Sequence, residues 1–168
     1  MKKDTQQLLR HWQEAVPNDR LAHLVRDTAR AYTRALQARL AQHQVPFGHW
    51  AFLRILWHSD GLTQRELSVL AGVMEPTTFS AMKAMEALGY IERRQAPENK
   101  KNMYVYLTPK GRALQKKLVP LAEQTNQVST QGLSAQEVQA TRGVLLKLLE
   151  NLAADEQQWA SKGAGDAV

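Results

Sequence analysis

The strongest constraint on the fold is a series of helix start and stop signals between residues 60 and 109. Thr63 and Glu66 have the spacing of a capping box, in which a hydroxyl and a carboxylate three residues later satisfy free amides at a helix start. The short helix that follows, Gln64–Ala71, is predicted to end at Gly72, since glycine readily adopts a left-handed cap. The signals therefore fix a short helix with a tight turn after it.

A second helix is predicted from Glu75 to Leu88. Pro76 suits the first helical turn, and Gly89 suits a left-handed C-terminal cap. Its inner side is predicted to carry three apolar residues, Phe79, Met82 and Met85. The two helices together have the length and spacing of a helix-turn-helix.

After Gly89 the apolar pattern changes to the period of two that is typical of strands. Tyr90–Arg94 and Met103–Leu107 are predicted to pair as a hairpin, joined by a polar connection. Thr108-Pro109 is a typical helix start. Further helices are predicted at Thr5–Val16, Arg20–Gln42, Phe47–Trp57 and, after Thr108, in two segments, the second opened by the capping box Ser134–Glu137. The fold class is therefore mostly α with a small β-hairpin wing (α+β).

Charge and composition restrict the function. The net charge is +6, and ten basic against five acidic side chains lie between residues 61 and 117, which indicates a module that binds a polyanion. The absence of cysteine excludes disulfides, thiolate metal sites and thiol-based redox sensing. No apolar run is long enough to cross a membrane and no secretory signal is evident, so a cytoplasmic protein is expected. No phosphate loop, nucleophile elbow or carboxylate pair suggests an enzyme, and no cofactor is expected.

Basic and hydroxyl side chains along the predicted helix-turn-helix and hairpin could contact DNA. Small hydroxyls allow close approach to phosphates and base edges, and lysine and arginine neutralise phosphate. The alternative to DNA binding is a small α+β domain whose basic turn is simply exposed to solvent. The candidate DNA-binding residues are Thr63, Arg65, Pro76, Thr77, Thr78, Ser80, Ala81, Lys83, Arg93, Arg94, Lys100, Lys101 and Asn102.

Three segments together resemble the MarR family of bacterial regulators: Leu62–Leu67, Met85–Arg93 and Tyr106–Gly111. The resemblance covers about residues 20–154. It implies a winged helix-turn-helix at 46–108 between dimerisation helices at 1–45 and 109–160. The tail at 161–168 is predicted to be disordered because it is rich in glycine and alanine. The resemblance also implies a homodimer that binds a pseudo-palindromic double-stranded DNA operator, and most often a repressor released by a small aromatic ligand.

The sequence departs from the family pattern at two places. The wing usually carries an Asp-x-Arg pair, and Asn99-Lys100-Lys101 stands there instead. Lysine lacks the planar fork of arginine, so reading of the minor groove is expected to be weaker. Ser80 stands where the family often has arginine in the recognition helix, so base specificity cannot be transferred from other members.

The predicted helix Phe47–Trp57 carries Arg54 at helical spacing from Trp50 and Trp57. A guanidinium in an apolar setting needs an anionic partner, and an aromatic or heteroaromatic carboxylate could pair with it while stacking on indole. An internal ion pair or a carbonyl partner would equally satisfy it. His23 and His49 could add hydrogen bonds to such an effector, although a lone histidine is more often structural. The five histidines lack metal-ligand spacing, so a zinc sensor is not expected.

Two other functions fit the same pattern. A winged helix can serve as an architectural or protein-interaction module without sequence-specific DNA binding or ligand control. A transcriptional activator, or a regulator without a ligand, would have the same fold.

Overall fold

A computed structural model of the chain describes residues 5–14, 21–96 and 99–165, with side chains described except at 96, 99–102 and 161–165. Over these residues it contains seven helices and three strands, mostly helical as the sequence predicts. The elements are α1 Thr5–Glu14, α2 Leu21–Ala41, α3 Phe47–His58, β1 Leu62–Thr63, α4 Gln64–Ala71, α5 Glu75–Ala87, β2 Ile91–Ala96, β3 Asn99–Leu107, α6 Pro109–Ser129 and α7 Ala135–Gly165.

The predicted caps of the helix-turn-helix are confirmed. Thr63 caps α4 in a reciprocal capping box with Glu66. Gly72 adopts a left-handed φ of 64° directly after α4, and Gly89 adopts a φ of 70° two residues after the end of α5. Because these positions require positive φ, glycine sets where each helix ends.

The wing is an antiparallel sheet of three strands in the order β1-β3-β2. Ile91 pairs with Leu107, and Arg94 pairs with Tyr104. The hairpin is longer than predicted, and β1, in which Leu62 pairs with Val105, is absent from the prediction. A strand of two residues is too short to leave an alternating pattern, which explains why the sequence did not reveal it.

Helix α3 lies at the centre of the core, as its nearly continuous apolar sequence predicts. Four of its side chains are buried: Trp50, Phe52, Leu53 and Leu56. They belong to one hydrophobic cluster with Leu36 and Leu40 of α2, Leu67 of α4, Met82 and Met85 of α5, the wing strands and Leu118 of α6. The position of the helix-turn-helix is thus set by apolar packing onto one central helix.

A close backbone approach, here called the wing junction, joins α3, the wing and α6 at four residues, Trp57, Tyr90, Thr108 and Gly111. The amide of Thr108 donates to the carbonyl of Tyr90 (3.1 Å), and the indole Nε1 of Trp57 donates to the carbonyl of Gly111 (3.0 Å). A Cβ placed on Gly111 would lie 2.0 Å from the Tyr90 carbonyl oxygen. Only glycine therefore fits at this position.

The chain divides into two compact units, residues 1–126 and 127–168. In the second unit, Ser134 and Glu137 form the predicted capping box at the start of α7. Helix α7 continues through Gly165, so the prediction of a disordered tail from 161 was wrong up to that residue; 166–168 lie outside the described residues.

We expect Gly111→Ala to lower the free energy of unfolding by about 3 kcal/mol or more, since its Cβ would overlap backbone that cannot move without breaking the wing junction. Gly48→Ala is the matched control, because no atom lies within 4 Å of the added Cβ. Urea denaturation of both variants measures the difference. Equal stability of the two variants would contradict this account of the junction.

Candidate nucleic-acid interface and ligand cavity

Helix α5 presents an exposed polar face. Pro76, Thr77, Ser80 and Lys83 are all exposed, as predicted, and Pro76, Ser80 and Lys83 recur at the i, i+4, i+7 spacing of one helix side. The Ser80 hydroxyl donates to the Pro76 carbonyl at 3.0 Å, so its hydrogen is engaged within the helix. Ala81 is half-buried and lies at the edge of this face.

Thr78 and Phe79 occupy the reverse of their predicted positions. The inner side of α5 is formed by Thr78, Met82 and Met85, all fully buried, whereas Phe79 is 54% exposed. The prediction of Thr78 as a DNA contact was therefore wrong, as was that of Phe79 as a core residue. The reason is a buried hydrogen bond across the helix-turn-helix, in which Ser68 Oγ of α4 lies 2.7 Å from Thr78 Oγ1.

Thr63 and Arg65 lie at the start of α4. The Thr63 hydroxyl donates to the Glu66 carboxylate (2.7 Å) and accepts from the Glu66 amide (3.2 Å), so it is committed to the cap. The backbone amide of Thr63, with help from its hydroxyl, lowers the pKa of Glu66. Arg65 is exposed and is available to a phosphate.

Arg93 and Arg94 on β2 both have acidic partners. Arg93 donates to Glu86 Oε2 of α5 from Nε (2.9 Å) and Nη2 (2.5 Å), and this bond lowers the pKa of Glu86. Arg94 pairs with Glu92 and lies over the ring of Tyr106, 5.3 Å from its centroid. Arg93 is thus a tie between recognition helix and wing, whereas Arg94 is largely exposed. The side chains of Lys100, Lys101 and Asn102 lie outside the described residues.

A cavity of about 270 Å³ opens between α2, α3 and α6, near the lower end of the volumes typical of small-molecule sites. The Trp50 and Trp57 rings meet edge to face, with centroids 5.6 Å apart. The cavity is mostly apolar, with a few polar groups. Its lining residues are Tyr32, Thr33, Leu36, Phe47, Trp50, Ala51, Arg54, Ala122, Thr125 and Asn126.

The structure brings Arg54 and Trp50 together at this mostly apolar cavity, but Arg54 is not enclosed by apolar side chains as predicted. Its side chain is exposed, because it lies on the open side of α3 rather than among the buried residues. Within the described ranges Arg54 forms no ion pair, so the alternative of an internal salt bridge finds no support there.

The two predicted histidines are separate from this cavity. His23 is exposed on α2, and His49 is half-buried on α3; neither is among the lining residues. Burial lowers the pKa of His49, which favours its neutral form at pH 7. In the regions that the structure describes, no three His, Asp or Glu side chains cluster as metal ligands, and none of the helices is both long and apolar enough to span a bilayer.

Comparison with known proteins gives one consistent result. The sequence model of the MarR family matches residues 48–103. The regulator TtmR of Methylorubrum extorquens is 28% identical over 101 residues, which cover 60% of this chain and 52% of TtmR, about half its length. A MarR-family structure from Listeria monocytogenes complexed with 26mer DNA has 25% identity and a TM-score of 0.74, covering 82% of this chain and 91% of the other.

The transcriptional regulator SlyA has 26% identity and a TM-score of 0.74, covering 82% of this chain and 96% of its own. The order of helices and wing strands described above therefore recurs in known regulators.

We expect Thr78→Val to lower the free energy of unfolding by about 1 kcal/mol, because it removes one partner of the buried Ser68–Thr78 hydrogen bond. Ser68 keeps a second partner, the Gln64 carbonyl at 2.9 Å, which limits the loss. Thr77→Val on the exposed face is the matched control and should change stability by less than about 0.5 kcal/mol. Urea denaturation that gave the opposite order would place Thr78, and not Thr77, on the open face.

Proposed function

Since the chain is a member of the MarR family of DNA-binding transcriptional regulators, with its winged helix-turn-helix, we propose that it acts as a homodimeric repressor. It binds a pseudo-palindromic operator and is released by a small aromatic or heteroaromatic carboxylic acid. The observation that carries the proposal is that α5 has an exposed polar face, while the helix itself is joined to the wing by the hydrogen bond from Arg93 to Glu86. That tie fixes helix and wing as one reading surface for adjacent grooves.

Electrostatics support double-stranded DNA as the partner. The stretch from 61 to 117 carries most of the net positive charge, and Arg65, Lys83 and Arg94 are exposed on or beside the reading surface. The related structure from L. monocytogenes holds a 26mer DNA. Phosphate neutralisation supplies affinity, and α5 supplies contacts to base edges in the major groove.

Helix α7 supports the homodimer. Many of its large apolar side chains are exposed, as expected of a surface that packs against a partner. These residues recur at helical spacing, as expected of a helix that packs against a second copy. They include Val144, Leu145, Leu149, Leu152 and Trp159.

The cavity supports control by a carboxylate. Arg54 at its opening can bind a carboxylate through two parallel hydrogen bonds while Trp50 contacts an aromatic ring. Trp50 contacts Trp57, and Trp57 donates to Gly111 at the wing junction. An occupied cavity would favour a dimer whose recognition helices no longer match successive major grooves, about 34 Å apart.

We expect the purified chain to prefer a duplex from the region upstream of its own gene over random duplex, at two protomers per site. Fluorescence anisotropy at several salt concentrations measures affinity and the number of phosphates neutralised. Lys83→Ala should reduce the slope of log affinity against log salt by about 2, one phosphate contact for each of the two protomers, whereas the control Lys147→Ala on α7 should not. A steep slope without sequence preference would favour the architectural module instead.

We expect benzoate, or another acid from a panel of aromatic carboxylates, to release the bound duplex. Arg54→Met should raise the concentration needed by about ten- to 150-fold, because it removes a charge-assisted pair worth about 1.5 to 3 kcal/mol. Arg10→Met removes an equal charge outside the cavity and serves as control. Trp57→Phe keeps an aromatic ring at this position but removes the Nε1 donor. The variant protein should therefore bind the acid but release DNA less completely. An unchanged midpoint in Arg54→Met would exclude this cavity as the effector site.

A further inference from the structure

Phe79 is the largest apolar side chain on the open side of α5, and it is not part of the hydrophobic core cluster. It is 54% exposed, although the neighbouring position 78, which is buried, holds a threonine. Because the fold buries Thr78 and exposes Phe79, about half of the surface of the Phe79 side chain is left in water. On a helix face proposed to bind DNA, an exposed aromatic side chain is a candidate for contact with the apolar part of a base edge.

The location of Phe79 on α5 indicates which kind of partner it could contact. It is the fifth residue of the helix, within the N-terminal part of a recognition helix that reaches base edges. Lys83 and Glu86 follow at i+4 and i+7, so the three share one flank. Because Glu86 is bonded to Arg93 of the wing, this is the flank that faces the wing.

The side chains around Phe79 define the chemistry that can be read. The first seven residues of α5, Glu-Pro-Thr-Thr-Phe-Ser-Ala, include no arginine, lysine, asparagine or glutamine, the residues that form paired hydrogen bonds with guanine or adenine. Within them, the Ser80 hydroxyl is engaged by Pro76 and Thr78 is buried. Of the other side chains in this part of the helix, Thr77 is exposed and Phe79 is the large apolar one, so apolar contact is an available source of base discrimination.

We propose that Phe79 reads the 5-methyl group of a thymine in the operator's major groove. Thymine is the base whose major-groove edge presents a methyl group, and apolar side chains recognise it by contact. The inference rests on the proposed function and specifies which base this surface selects.

Replacing thymine with deoxyuridine tests the proposal, because it removes only the methyl group. Duplexes that bind the wild-type chain are first selected from a random library. Each thymine of the duplex that binds most tightly is then replaced by deoxyuridine, one at a time. At one or two positions we expect the wild type to lose about four- to tenfold in affinity, in line with one buried methyl group. Phe79→Ala should bind the thymine and deoxyuridine duplexes equally.

Leu88→Ala is the matched control. Leu88 is also an exposed apolar residue, 41% exposed, and lies nine residues further along, about 13 Å from Phe79 on the helix axis. This variant should show the same loss with deoxyuridine as the wild type. Sedimentation of Phe79→Ala should give the wild-type oligomer, whereas a shift to monomer would assign Phe79 to a protein interface and overturn the proposal.

Three further results would overturn it. The wild type could be insensitive to deoxyuridine at every thymine, or Phe79→Ala could retain full sensitivity, in which case another residue reads the methyl. If selection returned no preferred duplex, the proposed function would fail and the inference with it. Specific binding without methyl dependence would leave the proposed function standing and remove only the role of Phe79.

Discussion

The arrangement of the wing against helices α3 and α6 depends on one close backbone approach, between Gly111 and Tyr90. No side chain fits between them, since even a Cβ would lie 2.0 Å from the Tyr90 carbonyl oxygen. This contact lets Thr108 bond to the start of β2 and lets Trp57 reach the Gly111 carbonyl. Interiors packed at this density transmit displacement rather than absorb it. The end of α3, the wing and the start of α6 therefore move together.

That constraint gives the cavity a physical route to the wing. Trp50 lines the cavity and meets Trp57 edge to face, and Trp57 is anchored to the wing junction by its indole nitrogen. On the other side of the wing, Arg93 holds β2 to α5 through Glu86. Cavity, wing and recognition helix are thus joined by one chain of aromatic contacts and hydrogen bonds, each of which can be removed by a single substitution.

Local signals in the sequence were sufficient to predict most of the fold, but they predicted the positions of the candidate site residues less well. The capping box at Thr63 and the glycines at 72 and 89 predicted helix bounds because caps act within one turn. The exchange of Thr78 and Phe79 was missed because hydrophobicity alone favours burying phenylalanine, whereas the deciding partner, Ser68, lies on another helix. Arg54 was assigned to apolar surroundings for the same reason: its exposure depends on how α3 packs, which no local pattern records.

The open face of α5 lies outside the hydrophobic core cluster. Ser80 bonds only within its own turn, and the exposed side chains of Pro76, Thr77 and Phe79 contribute little to the core. Mutations at these exposed positions should cost little folding stability, whereas changes at Arg93 remove the hydrogen bonds that join β2 to α5. Under the proposed function, duplicated genes of this design could acquire new target sites by drift along this single helix face, while the core that holds the cavity and the wing is inherited intact.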